Sequence, residues 1–310
     1  MLEPIVIPAT PSNSLLNYEL YIYRGDLENQ AAPGNKWHKL KHHLCAANQQ
    51  KAKVIATFAG PYSNHLHAFS NTLKALDEKG VCIVRGELQA NLTPTLKDAA
   101  KNGVELWPSS RADYRLGVDS LVAAKIQNEY DDVYWVPEGG GGMLGAKGCQ
   151  EWARDIARQD NGFDAWALAA GTGTTAAGFL SAPEVPFLHV FSALKGAADQ
   201  QGEIVQLACK LNSANCSDRL RFHSDCHHGG YAKHSEELRD FMKQIAQLNP
   251  NLILDPVYTN KALFAIIKAI QSGQWPNRRT LFIHTGGIQG WRGYKDEHNP
   301  FLKVCSHSES

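Results

Sequence analysis

The sequence predicts an α/β protein of two domains, each a mainly parallel sheet flanked by helices. Three observations carry this. From about residue 50 onward, short runs rich in β-branched and aromatic residues alternate with longer segments of helical period, as βαβ units require. Glycine, proline and asparagine punctuate the joins between them. The length, 310 residues, is about two domains' worth.

Taken in order, the apolar runs predict strands at Val54 to Phe58, Val81 to Arg85, Val104 to Trp107, Val133 to Val136, Ala165 to Ala170, Phe187 to Leu194, Leu220 to His223 and Thr280 to His284. The helical period predicts helices over Leu66 to Leu76, Val118 to Tyr130, Leu144 to Gln159, Thr174 to Ser181, Ser235 to Leu248 and Lys261 to Ser272. Before them, Trp37, Leu40 and Leu44 recur at three and four residues, so a short amphipathic helix begins near Asn35, a residue suited to cap it. Gly139-Gly140-Gly141-Gly142 reads either as a mobile loop over a cleft or as a plain linker. The tail after Phe301 is expected to fray.

Hydrophobic residues make up 43% and charged residues 20%, which excludes disorder and a collagen-like fold. Lysine and arginine total 31, as do aspartate and glutamate, so no net field draws nucleic acid or an anionic membrane. No apolar run is long enough to span a bilayer, and the N-terminal stretch has no signal-peptide pattern. Seven cysteines, an odd number with no CxxC pair, argue for reduced thiols. The expectation is a cytoplasmic protein of small-molecule metabolism, with no nucleic-acid or membrane partner.

Five segments are candidates for chemistry. In Gly34-Asn35-Lys36-Trp37-His38-Lys39-Leu40, Lys36 stands at the positive end of a helix with Lys39 one turn on. A lysine near another cation, or removed from water, gives up its proton and becomes an amine nucleophile; the plain alternative is a solvated lysine face. Ala59-Gly60-Pro61-Tyr62-Ser63-Asn64-His65 lies where a strand gives way to a helix, at the sheet edge where open α/β proteins bind ligands. An ordinary capping turn uses the same residues. Gly171-Thr172-Gly173-Thr174-Thr175 follows a buried strand and opens a helix, so its amides suit a phosphate, though it is neither a P-loop nor a GxGxxG fingerprint. Asp255-Pro256-Val257-Tyr258-Thr259 opens a helix, and His284-Thr285-Gly286-Gly287 ends the last strand.

His223, His227, His228 and His234, with Asp225 and Cys226 among them, raise the question of zinc, but their spacing does not match paired ligand blocks. The reading is a substrate-side loop or plain surface, with no metal. His38, His42 and His43 share one helix and read as packing or surface residues.

Together, in this order, the five segments resemble the fold type II pyridoxal-phosphate enzymes, and more narrowly the family of D-cysteine desulfhydrase and 1-aminocyclopropane-1-carboxylate (ACC) deaminase. The resemblance covers essentially the whole chain. It implies pyridoxal 5'-phosphate as cofactor, a Schiff base to Lys36, and a phosphate held by Gly171, Thr172, Gly173, Thr174 and Thr175. It implies that Asn64 pairs with the phenolic oxygen of the cofactor ring and that Ser63, with Asn64 and His65, contacts the substrate. Ser63 also occupies the position of the nucleophile proposed in the deaminase. Two tyrosines beside the reacting carbon correspond to Tyr258, through a shared tetrapeptide, and Tyr231, through a similar separation. A larger cofactor-binding domain of 1–48 with 149–310, a smaller mobile domain of 49–148, and a homodimer are further implications.

Within that family, ACC deaminases carry a glutamate after the tyrosine of Asp-Pro-Val-Tyr and a leucine before the final Gly-Gly. Here Thr259 and Thr285 stand there, the hydroxyl pattern of the desulfhydrases. A hydroxyl beside the pyridine nitrogen does not keep it protonated as a carboxylate does, and the weaker electron sink suits loss of a β substituent better than opening a cyclopropane. Trp37-His38 departs from the Thr-Arg often found after the family lysine. The expected activity is a β-eliminating lyase on a small amino acid, with D-cysteine giving pyruvate, sulfide and ammonia. ACC deamination is the alternative; a catalytically silent pyridoxal-phosphate or amino-acid binding protein is the rival from another class, and a dinucleotide enzyme lacks its third glycine and acidic ribose partner.

Overall fold

The computed structural model describes residues 1–9, 18–160, 162–197, 199–212, 216–230 and 232–302. The chain opens with β1 (Leu2–Pro4), β2 (Glu19–Tyr23) and α1 (Asn35–Gln49). There follow β3 (Val54–Ala59), α2 (Asn64–Leu76), β4 (Gly80–Arg85), α3 (Pro94–Lys101), β5 (Val104–Ser109), α4 (Arg111–Tyr114), α5 (Leu121–Glu129) and β6 (Val133–Val136). The rest is α6 (Gly142–Ala157), β7 (Ala165–Ala170), α7 (Thr174–Ser181), β8 (Phe187–Ser192), α8 (Gln200–Leu211), β9 (Leu220–His223), α9 (Glu236–Leu248), α10 (Thr259–Gln271) and β10 (Arg279–Ile283).

These strands form two sheets. One runs β1-β2-β10-β7-β8-β9, the other β5-β4-β3-β6. Pairing between the described strands is parallel except where β1 meets β2. The central strands β3 (VIATFA) and β7 (AWALAA) are buried at every position, because helices cover both faces of each sheet. On the larger sheet, Trp152, Trp166 and Phe179 fill one face while Phe241, Ile266 and Phe282 fill the other. The smaller sheet is packed by Leu66, Phe69 and Leu73 on one side and Tyr114 and Ile126 on the other.

All eight expected strands are present, and so is a helix at each expected position. β8 stops at Ser192, two residues short of the expected end, and α5 starts at Leu121 rather than Val118. β1 and β2, and the helices α3, α4 and α8, carry too short or too broken an apolar pattern to stand out; β1 is three residues ending in proline, and α8 contains Gly202.

The expected short first helix is instead fifteen residues long, and Asn35 does not cap it. Gly34 takes the cap position without a side-chain bond, while the Asn35 amide side chain donates to Thr175 Oγ1 at 2.9 Å. That exchange ties the start of α1 to the start of α7. The glycine run is neither a free loop nor a linker: Gly139 and Gly140 are buried in a single 3-10 turn that leads into α6.

Helices α1, α6 and α7 touch backbone to backbone. A Cβ at Gly148 would stand 1.8 Å from the His38 carbonyl oxygen, and one at Gly178 would stand 2.4 Å from that of Ala146. The histidines of α1 pack as the sequence suggests. His38 stacks on Trp152 at 4.4 Å and bonds Glu28 at 2.5 Å, and His43 is buried between the Tyr134 hydroxyl and the Gly141 carbonyl. No described helix is long and apolar enough to cross a membrane.

Candidate active site

The carboxyl ends of the parallel strands of both sheets face one another across a cavity of about 540 Å³. Open parallel sheets present ligands at that edge because loops and helix N-termini converge there. The turn after β3 supplies Ser63, Asn64 and His65; the turn after β7 supplies Gly171, Thr172, Gly173 and Thr175; the end of β10 supplies Thr285; Lys36, Lys39 and Tyr258 complete the wall. Residues from four of the five sequence segments therefore meet, and the fifth joins them through Tyr258.

Lys36 reaches the cavity from the first turn of α1. Burial, followed by the charge of Lys39, lowers its pKa well below the usual lysine value and favours the neutral amine. Lys39 is 3% exposed and is itself shifted down by burial.

Ser63 caps α2: its hydroxyl oxygen accepts the Leu66 amide at 3.2 Å, which leaves the hydroxyl proton free to donate elsewhere. Asn64 accepts from the Gln289 side chain through Oδ1 at 3.0 Å, so its amide NH2 is the end that remains for a ligand. His65 is buried, with Nε2 2.8 Å from Thr57 Oγ1. Because Thr57 donates to the Val136 carbonyl, its oxygen receives the proton on His65 Nε2, and Nδ1 keeps an unshared pair with no partner. Burial, then the charges of Lys36 and Lys39, holds the His65 pKa well below that of a free histidine.

The start of α7 has no side-chain cap, its N-cap being Gly173 with a left-handed backbone. Its free amides and dipole therefore face the cavity unpaired by side chains, an arrangement suited to an anion. Thr172 and Thr175 line the cavity, whereas Thr174 turns away toward Gly141 and Gly145 of α6. A Cβ at Gly171 would stand 3.1 Å from the Tyr258 ring, so loop and tyrosine are in contact.

Thr285 faces the cavity, but Thr259 does not line it. The Thr259 hydroxyl donates to Asp255 Oδ1 at 2.6 Å and accepts the Asp255 amide at 2.8 Å. Asp255 also takes the amides of Val257, Tyr258 and Thr259, so its carboxylate is spent on holding the turn. Tyr231 lies outside the described residues. Among the described residues no group of three or more histidine, cysteine or acidic side chains is placed to hold a metal, the His-rich segment included. In that segment the buried Lys261 ammonium donates to the His227 and Gly230 carbonyls, and its pKa is lowered to about 8, chiefly by burial.

Sequence reasoning missed Arg85 and Glu138, which also line the cavity, as does Gly139 of the glycine run. Each stands just at or beyond the carboxyl end of an expected strand, and that position alone was the available signal.

Two facing parallel sheets, with a lysine on a helix and a glycine-threonine loop between them, define the architecture of the fold type II pyridoxal-phosphate enzymes. No family model matches the sequence. The bifunctional D-cysteine desulfhydrase/1-aminocyclopropane-1-carboxylate deaminase, mitochondrial, of Arabidopsis thaliana is 32% identical over 308 residues, spanning 92% of this chain and 75% of that protein. A solved ACC deaminase homologue superposes with a TM-score of 0.80 at 26% identity, covering 93% of this chain and 89% of that one. A hydrogen sulfide-producing enzyme of Fusobacterium nucleatum shares the fold, with a TM-score of 0.66 at 10% identity over 94% of both chains. The chain belongs to the D-cysteine desulfhydrase and ACC deaminase family.

Proposed function

We propose that the protein is a pyridoxal-phosphate-dependent lyase that removes a β substituent from a small amino acid, with D-cysteine as the reference substrate and pyruvate, sulfide and ammonia as products. The observation that carries this is the placement of an amine held toward its neutral form, Lys36, in one cavity with the uncapped start of α7. The cavity fits the cofactor on its own chemistry: an anion cradle at Gly171, Thr172, Gly173, Thr175 and the Thr174 amide, a free amide at Asn64, and a carbonyl-reactive amine.

When bound, pyridoxal phosphate supplies an electron sink for the substrate α carbon. Lys36 holds the cofactor carbonyl and, once free, takes the α proton on Nζ. Asn64 Nδ2 would donate to the phenolic oxygen of the bound group, since its Oδ1 is already taken by Gln289. Ser63 donates its hydroxyl proton to the substrate carboxylate, and the Tyr258 hydroxyl stands over the loop as a second proton carrier, with Tyr231 a further candidate for that role. His65 orients the substrate side of the cavity. Thr285, which lines the cavity, would meet the pyridine nitrogen where some relatives place a carboxylate; with Asp255 fully engaged, no acid in that turn is left to protonate it.

The larger domain in this reading comprises 1–48 and 149–310, the smaller 49–148, and the family pattern extends to a cytoplasmic homodimer. Purified protein is expected to show a visible absorption band that Lys36→Ala abolishes, and to release keto acid from amino acids with a β leaving group. Absence of the band, or its persistence in Lys36→Ala, overturns the cofactor assignment; a band without keto acid from any D- or L-substrate or ACC favours the silent binding protein.

A further inference from the structure

Pro61, Arg85 and Glu138 line both the cavity of the candidate site and a second, adjacent chamber of about 850 Å³ on the smaller sheet. None of the residues given a role in the reaction lines it. Its floor is aromatic: Phe58 stacks on Trp135 at 5.2 Å and meets Tyr114 edge-on at 6.0 Å.

Its rim is cationic. Arg111 and Arg115 are one helical turn apart and share a side, while Arg85 lies over the Tyr114 ring at 5.6 Å. Among the described residues no ion pair engages these three guanidinium groups, whereas Arg24, Arg279 and Arg292 are each paired with a carboxylate. Three arginines face one acid, Glu138, in a chain whose net charge is zero, so the positive field is local.

A buried donor adds to this. Trp135 Nε1 has no hydrogen-bond partner among the described residues. Tyr114 is 6% exposed, and burial together with the Glu138 carboxylate beside its hydroxyl raises its pKa, so the hydroxyl keeps its proton. Free cations and an unsatisfied donor around an aromatic floor call for a ligand with an apolar stem and an acceptor-rich anionic end.

We propose that this chamber receives the leaving substituent of the substrate, and that this substituent ends in a carboxylate. The inference rests on the β-elimination reading above and narrows its substrate class to amino acids whose β sulfur or oxygen carries a short acidic chain. The balance of the reaction is unchanged. The α proton and the bond from the β carbon to the heteroatom are lost, the heteroatom leaves with the bonding pair and gains a proton, and water converts the remainder to keto acid and ammonia.

The test compares kcat/KM of the holoenzyme for both enantiomers of S-carboxymethylcysteine and of its near-isosteric neutral amide, S-carbamoylmethylcysteine, with β-chloroalanine as a small reference. The wild type is expected to prefer the acid at least about tenfold, mainly through KM, with the preference shrinking as salt rises. In Arg111→Gln/Arg115→Gln it should fall to about twofold or less, and Arg111→Lys/Arg115→Lys should restore part of it; thermal midpoints check that the variants fold. Turnover of β-chloroalanine without a preference for the acid, or a preference that survives the glutamine pair, overturns the chamber assignment and leaves the elimination reading standing. No keto acid from the three compounds while D-cysteine is turned over overturns the chamber assignment alone; none from these or from D-cysteine overturns both.

Discussion

Gly171 and Tyr258 are in contact: a Cβ at residue 171 would lie 3.1 Å from the tyrosine Cε1 and 3.4 Å from its hydroxyl oxygen. Loop and tyrosine thus set one another's position. Gly171→Ala is expected to fold and to keep the visible band, because only the ring need shift, while kcat falls about tenfold as the hydroxyl leaves its place. A visible band lost together with activity would mean that the added methyl disturbs the anion cradle itself and not the tyrosine alone.

Lys39 acts on Lys36 through its charge. In Lys39→Met that repulsion is gone, so the Lys36 pKa rises and the acid limb of the kcat profile moves to higher pH. A parallel titration of the visible band checks it, and an unmoved limb would mean that Lys39 carries no charge in the working enzyme.

On the proposed reading Ser63 has two separable duties, the α2 cap and the substrate carboxylate. Ser63→Ala removes the α2 cap and should cost about 1 kcal/mol in thermal stability. It should also lower kcat/KM about 10- to 100-fold through loss of a hydrogen bond to a charged group. Ser63→Thr restores the cap, so stability measured by thermal melting returns even where turnover does not.

Thr259 is structural here. Thr259→Val removes a donor to Asp255 and is expected to cost about 1–3 kcal/mol in denaturant unfolding. Thr259→Glu is not expected to confer ACC ring opening, since the native side chain turns away from the cavity toward Asp255. Keto acid release from ACC by either protein, at a rate comparable with D-cysteine, would contradict this.

His189 is buried beside His223, and burial followed by the His223 charge lowers its pKa to about 4. A histidine whose folded pKa lies below its unfolded value of about 6.5 stabilises the fold fully above that value and ceases to do so as pH falls toward the folded pKa. Stability should therefore decline between about pH 6.5 and 4, by a few kcal/mol in all. His189→Gln should flatten part of this slope in urea titrations, leaving the share that belongs to His223, whose pKa burial also lowers.

The parallel sheets were legible because β3, β7 and their neighbours are mostly apolar runs rather than alternating ones, and only strands covered on both faces read that way. The first helix was read as short because its apolar stripe fades after Leu44; its later turns continue beyond the point where the sequence pattern could support them. Lys36, Ser63, Asn64 and Tyr258 were found because glycine, serine and proline mark the turns that carry them. Arg85 was not, because an arginine at a strand end looks like any solvated terminus until the partner strands fix which cavity it overlooks. Thr259 and Thr174 share the backbone placement that the sequence suggested, but the rotation of a side chain about its own helix start is decided by neighbours far away in the chain.

The glycine contacts that fuse α1, α6 and α7 have a bearing on how the protein is loaded and emptied. On the proposed reading, Lys36 and the anion cradle ride on the same fused block, whereas Ser63 and Asn64 ride on the smaller sheet. A parting of the two sheets would draw Ser63 off the substrate and Asn64 off the ring while Lys36 and the cradle travel together. Such a molecule would discharge product and admit the next substrate many times over without casting off the group on which its chemistry depends.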